Sequence, residues 1–188
     1  MNKAPDNINL NNTSNELLAC FDDNGNSISP KTRKELHTEP YNTWHAVVNV
    51  WILNKDGQVL CSRRANIVSG NPGKWQTYFG GHVKARHSFS DTIVAELNEE
   101  IGLSVKLEKL HLIDKGKDQS VKHFYESYAY LFSGNIKDLE FNDGEVSEIK
   151  WMTIEDYWND KQNHPKKWCN NLNPENQAKI REYLKSLS

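Results

Sequence analysis

Apolar positions along the chain follow a strand-like rhythm up to Phe79 and helical spacing only after Ser88. Leu17 to Phe21 reads as a strand that turns at Asp22-Asp23-Asn24-Gly25 into Asn26 to Ile28. Ser29 and Pro30 have the character of a cap and a first-turn residue, which predicts a short helix from Pro30 to Leu36. A long apolar run, His45 to Leu53, turns at Asn54-Lys55-Asp56-Gly57 into Gln58 to Arg64. The loop through Asn71-Pro72-Gly73 leads to a strand from Trp75 to Phe79. Between Ser88 and Gly102 the period changes: Phe89, Ile93, Leu97 and Ile101 share one arc of a helix that Ser88 caps and Gly102 ends. Beyond it, Val105 to Leu112, Val121 to Ser133 and Ile149 to Thr153 read as strands. Asn173-Pro174 opens a last helix with Ile180, Tyr183, Leu184 and Leu187 on one side. Strands on both sides of one central helix, with more helix at the end, predict an α+β chain layered as an α/β/α sandwich.

Composition adds the domain count. The 188 residues are 37% hydrophobic and 26% charged, enough for one ordinary core. Residues 1–14, rich in Asn and Ser, read as a disordered lead; residues 15–188 read as a single domain with an N-terminal hairpin and a C-terminal helix. A net charge of −2 and a pI near 6.4 give no bulk attraction to nucleic acid or to an anionic membrane. No apolar run is long enough to span a bilayer, and the polar start carries no secretory segment. Cys20, Cys61 and Cys169 are odd in number and lack paired spacing, so they read as free thiols of a cytoplasmic protein. Trp44, Trp51, Trp75 and Trp151 lie in or beside strands and are assigned to the core.

The chemistry concentrates in Gly80 to Leu103, GGHVKARHSFSDTIVAELNEEIGL. Glu96, Glu99 and Glu100 project from one helical arc roughly 100° wide, where like charges repel one another. A hard divalent cation wants such clustered oxygens. The segment closely resembles the Nudix box, G-x5-E-x7-R-E-U-x-E-E-x-G-U, with Gly81, Glu96, Leu97, Glu99, Glu100, Gly102 and Leu103 in register. His87 stands where that family has its first glutamate and Ala95 where it has arginine, so the acid and the base that support the loop are replaced together. The resemblance implies a mixed central sheet flanked by helices. It also implies Mg²⁺ or Mn²⁺ held by Glu96, Glu99 and Glu100 with the Gly80 carbonyl, and hydrolysis of a diphosphate linkage in a small molecule, a nucleoside diphosphate derivative. Nudix enzymes often take a further ligand or base from the loop before the last strand. Glu145 is the first candidate there and Glu148 the second. Arg63 and Arg64 suit phosphate oxygens, and His82 joins them on the substrate side.

The flanking runs CFDDNGNSISPKTRKELH, WHAVVNVWILNKDGQVLCSRR and NPGKWQTYFGGHV resemble the Nudix branch related to isopentenyl-diphosphate isomerase. That resemblance places His37, His45, His82 and Glu126 near the metal ligands of the isomerase, and its catalytic cysteine at Gly80. Glycine has no side chain with which to move a proton, so isomerase chemistry is the minor alternative. His45 and His82 then read as structural residues that hydrogen-bond backbone near the pocket. A Nudix-fold protein that binds a diphosphate with little turnover is the other alternative.

Overall fold

The lead hairpin forms as β1 (Leu17–Phe21) and β2 (Ser27–Thr32). Asp22 shapes its turn by accepting from the backbone N–H groups of Asn24 and Asn26 and from the Asn26 amide. β2 runs straight through Ser29 and Pro30, so the helix expected from Pro30 starts later, as α1 (Arg33–Leu36). Two facts decide this. An edge strand tolerates proline, and Thr32 forms a reciprocal capping box with Glu35 that Ser29 cannot match. These coordinates are a computed structural model that describes residues 14–169 and 174–186. Residues 1–13, together with Asn173 and Leu187 of the expected last helix, lie outside the described residues.

β3 (Trp44–Leu53) is the axis of the sheet. It turns into β4 (Gln58–Arg64), which carries β5 (Trp75–Gln76) on one side. The strand expected from Trp75 to Phe79 is divided: Trp75 and Gln76 pair with β4, whereas Phe79 exchanges backbone hydrogen bonds with Val50 of β3. Val48 and Val83 continue that contact by donating to the carbonyls of Gly81 and Ala46. α2 (Phe89–Ile101) has the expected bounds, with Ser88 accepting from the Asp91 N–H and Gly102 in the left-handed conformation at φ 66°.

After α2 the expected strand from Val105 is displaced. A 3-10 turn occupies Leu107–Lys109, and β6 (Leu110–Asp118) follows it. β6 pairs antiparallel with β7 (His123–Leu131), and β7 runs parallel to β3 from His45↔His123 to Leu53↔Leu131. β8 (Val146–Thr153) starts earlier than expected and pairs with β4. α3 (Ile154–Asn163) follows directly, capped by Thr153, and is an element the hydrophobic pattern did not reveal. α4 (Pro174–Ser186) closes the described chain.

Alternation along β3 sets the layers. Val48, Val50 and Ile52 face α2, packing with Phe79, Ile93, Leu97 and Ile101. Trp51 and Leu53 face the other way, onto Tyr157 of α3, Trp168 and Ile180 of α4, with Tyr183 and Leu184 alongside. The α/β/α order is therefore real. Trp44, Trp51 and Trp75 are buried and Trp151 packs on the α2 side of the core, as assigned. The three cysteines are buried free thiols, and burial pushes Cys61 up to about 12.

Candidate active site

Two glycines bring the carboxylates of α2 against the sheet. Gly80 has φ +133°, and a Cβ there would stand 2.2 Å from the Val48 carbonyl oxygen, so no other residue fits without moving β3. Its N–H donates to Glu100 Oε1 at 3.0 Å. A Cβ on Gly81 would stand 2.7 Å from Glu96 Oε1, so the bare Cα leaves room for that carboxylate. Glu100 is only 5% exposed; burial, then the neighbouring Glu96, drives its carboxyl well above the usual range, while the Gly80 N–H pulls the other way. Glu96 is pushed up to about 7, by burial first and Glu99 second. Glu99 is exposed and lies 3.9 Å from Lys84.

A second acidic element comes from the loop before β8. Glu145 lines the same cavity as Glu96 and Glu99, and its N–H donates to Asp143 Oδ1 at 2.8 Å. Burial pushes Asp143 up to about 6, with Glu145 and Glu99 adding to it. Sequence reasoning passed over Asp143; the Asp143-Gly144-Glu145 turn was its only visible signal. Glu148, the second candidate, is turned outward, 3.7 Å from Arg63. Among the described residues, Glu96 and Glu100 take part in no ion pair. Two adjacent acids, Glu100 buried and Glu96 half-buried, that neighbouring carboxylates push toward protonation and that make no ion pair among the described residues fit a divalent metal.

The cavity measures about 1160 Å³. Its floor is the β3–β7 ladder: Val47 beside Tyr125, then Asn49 beside Ser127. Arg33, Lys84, Lys117 and Asp118 stand at the His45–His123 end, and Tyr78, Trp158 and Lys161 at the other. The arginine pair is split, because alternate strand positions face opposite ways. Arg64 lines the cavity while its Nε donates to the Gly70 carbonyl at 2.6 Å. Arg63 does not line it; its Nε donates to the Gly73 carbonyl at 3.0 Å. His87 is exposed at the entry to α2.

At the strand-start end, four imidazoles converge. The ring nitrogens of His37 (the residue ending α1), His45, His82 and His123 all lie within 4.8 Å of one another. His37 Nε2 and His82 Nε2 share one hydrogen bond of 2.9 Å. His45 is 1% exposed, and the Thr43 backbone is the hydrogen-bonding group nearest its ring. The reading of His82 as a backbone-binding residue is corrected by its bond to His37, whereas His45 meets the Thr43 backbone as expected. Burial holds all four below the usual imidazole range, His45 at about 3 and His123 at about 4. Glu126 is corrected too. It is offset by an odd number of residues from His123, Tyr125 and Ser127, which face the cavity, so it points to the other side of β7 and accepts from the Tyr128 hydroxyl. His123 takes its place, through a register that no spacing in the sequence displays.

An acid-lined cleft on a mixed sheet, with helix carboxylates seated against a glycine pair, is the site that this α/β/α sandwich presents. The NUDIX domain family matches residues 43–169, and the chain belongs to the Nudix family, among enzymes of the pyrophosphohydrolase type. It is 31% identical over 150 residues to an uncharacterised Nudix hydrolase of Clostridium acetobutylicum, covering 75% of this chain and 71% of that one. It is also 32% identical over 95 residues to an isopentenyl-diphosphate Delta-isomerase of Kocuria rhizophila, covering 50% of this chain and 52% of the relative. Solved structures share the fold. A Deinococcus radiodurans protein superimposes with a TM-score of 0.68 at 20% identity, covering 89% of this chain and 99% of its own. The NUDIX domain of Shewanella oneidensis NrtR, complexed with ADP ribose, gives 0.54 at 16% identity, covering 84% and 99%. No helix among the described residues is long and apolar enough to cross a membrane.

Proposed function

We propose that this protein is a cytoplasmic hydrolase that cleaves the diphosphate linkage of a nucleoside diphosphate derivative with Mg²⁺ or Mn²⁺. The observation that carries the reading is the pair of un-ion-paired carboxylates, half-buried Glu96 and buried Glu100, set against Gly81 and Gly80. Glu96, Glu99 and Glu100, with the Gly80 carbonyl, would hold the ion. Bound there, the ion supplies charge neutralisation for phosphate oxygens and acidifies water. The remaining roles belong to the chain. Gly80 N–H fixes Glu100 in its rotamer. Glu145, on the loop facing α2, takes a proton from the attacking water. Arg64, from β4, and Lys84, beside Glu99, meet phosphate charge from two sides. His82 borders the phosphates next to Gly81, and Arg63 leaves the set. The ADP ribose held by the Shewanella domain supports a nucleoside diphosphate joined to a second moiety as the substrate class.

A panel of nucleoside diphosphate derivatives, assayed for phosphate-containing products with Mg²⁺ and with Mn²⁺, tests this reading. Metal-dependent cleavage that identifies one linkage supports it. Thermal stabilisation by the same compounds without products would instead support a binding protein of low turnover. The altered box positions offer a finer test. Restoring His87→Glu and Ala95→Arg together is expected to preserve folding and to raise or maintain turnover, while either single change does worse. Additive effects of the two single changes in a double-mutant cycle would show that the positions are not coupled.

A further inference from the structure

The acids of α2 and of the 143–145 loop occupy one side of the cavity, and its far end, against α3, is left without a role in hydrolysis. Lys161 stands there half-buried, lining the cavity with Trp158 and Tyr78. Its ammonium lies over two rings, 5.6 Å from the Tyr157 centroid and 5.5 Å from that of Trp158. Among the described residues it makes no ion pair. The acid next to it in the chain, Asp160, is already taken, because its two oxygens hold His164, Lys167 and the Trp168 indole. Burial lowers the lysine from its usual range, so the charge is held against desolvation with aromatic faces as its support. A lysine that served only to cover apolar surface would turn its charge to water. A half-buried cation without an acid, lining a cavity, is set to meet an oxygen that a ligand brings.

We propose that Lys161 selects the base of the substrate, donating to a keto oxygen at the ring position where other nucleotides carry an amino group. This selection rests on the nucleoside diphosphate substrate proposed above and adds which base it carries. Arg64 joins the two ends of the cavity. β4 pairs it with Val146, the residue after Glu145, while its Nη1 lies 3.5 Å from Gln76 Oε1, two residues before Tyr78. A substrate whose phosphates meet Arg64 therefore extends its remaining part toward Tyr78 and Trp158, whose rings give a planar base aromatic walls to stack on. Donor chemistry then decides which base. Ammonium, guanidinium and indole nitrogens donate and never accept, and Trp158 Nε1 has no hydrogen-bond partner. The carboxylates that line the cavity, Glu16, Glu96, Glu99, Asp118 and Glu145, belong to the metal side and the strand-start end. A keto oxygen, as in uracil or hypoxanthine, satisfies Lys161. The amino group of cytosine or adenine instead sets a donor against a cation and leaves both unmatched.

The test measures binding and turnover separately, on the full chain with Mg²⁺. Calorimetric titration with UMP and CMP, which carry no diphosphate to cleave, is expected to show UMP bound about tenfold more tightly, and IMP likewise over AMP. Between uridine and cytidine diphosphate derivatives of one sugar, kcat/KM should follow the same order. Lys161→Met keeps the apolar stem over the rings and removes the charge, so it should erase both preferences while Tm stays near that of the parent. Lys161→Glu accepts where lysine donates and should reverse them, favouring CMP and AMP. A preference for UMP that Lys161→Met removes supports the assignment even where no diphosphate is cleaved. Turnover of nucleoside diphosphate derivatives without a keto preference, or a preference that Lys161→Met retains, would overturn it and leave the hydrolase reading standing. Failure of all four nucleotides to bind would overturn it as well.

Discussion

Glu100→Gln is expected to lower metal-dependent hydrolysis by about a hundredfold or more while making the metal-free chain more stable. The first effect follows from removing one charged donor from a centre that neutralises phosphate charge; a loss of about 3 kcal/mol of that stabilisation is two decades in rate. The second follows from burial. Glutamine keeps the shape and an Oε1 that accepts from Gly80 N–H, yet removes an anion that burial and Glu96 both disfavour. The neighbouring Glu96 gives the pH signature. Its carboxyl rises from 4.5 to about 7 on folding, so the stability it contributes is complete below pH 4.5 and is lost as pH climbs through 7. Without divalent ions, chemical denaturation should therefore show a decline of at most about 3 kcal/mol over that window, reduced by the partial exposure of Glu96, which saturating Mg²⁺ removes. His45 and His123 run the opposite way. Their folded values near 3 and 4 make the unfolded chain bind more protons as pH falls below 6.5, so they erode stability on the acid side. A metal-free variant that unfolds like the parent at pH 8, or hydrolyses like it with Mg²⁺, would refute the assignment.

Gly80→Cys is expected to unfold the site and to create no isomerase. The new Cβ would meet the Val48 carbonyl at 2.2 Å on a residue whose φ of +133° already excludes side chains. Backbone strain and clash together should cost about 3 kcal/mol or more, seen as a lower denaturation midpoint. Isopentenyl diphosphate should remain unisomerised by the parent and by the variant. A well-folded variant that isomerises it would show that the glycine loop can shift to the geometry of the isomerase relatives, and would reopen that alternative.

Local signals decided how much of this was legible beforehand. α2 was readable to the residue because its cap, its apolar arc and its terminal glycine all agree. β4 was equally clear, bounded by the Asn54–Gly57 turn. Where two local signals competed, the weaker one misled. Pro30 suggested a helix start, but the Thr32–Glu35 box set it. α3 stayed hidden because its apolar residues, Ile154, Tyr157 and Trp158, sit among charged ones and gain their burial only against Trp51 and Trp168. In the site, the glutamates of α2 and Glu145 were accessible because sequence neighbours carry them. His123 was not. Its role depends on the parallel pairing of β3 and β7, which joins residues nearly eighty positions apart. The division of Arg63 from Arg64 likewise needed the face of β4 on which the cavity lies.

Pro30 has a meaning beyond the start of α1. β2 is the outer margin of the sheet at that side, and almost all of its residues face solvent. A free margin offers unpaired N–H and C=O groups to any extended chain that drifts past. Proline withdraws one donor in the middle of that strip, and Lys31 beside it adds a charge that a second strand would have to bury. Edge-to-edge polymerisation is blocked at the hairpin by the residue whose other effect was to disguise a strand as a helix.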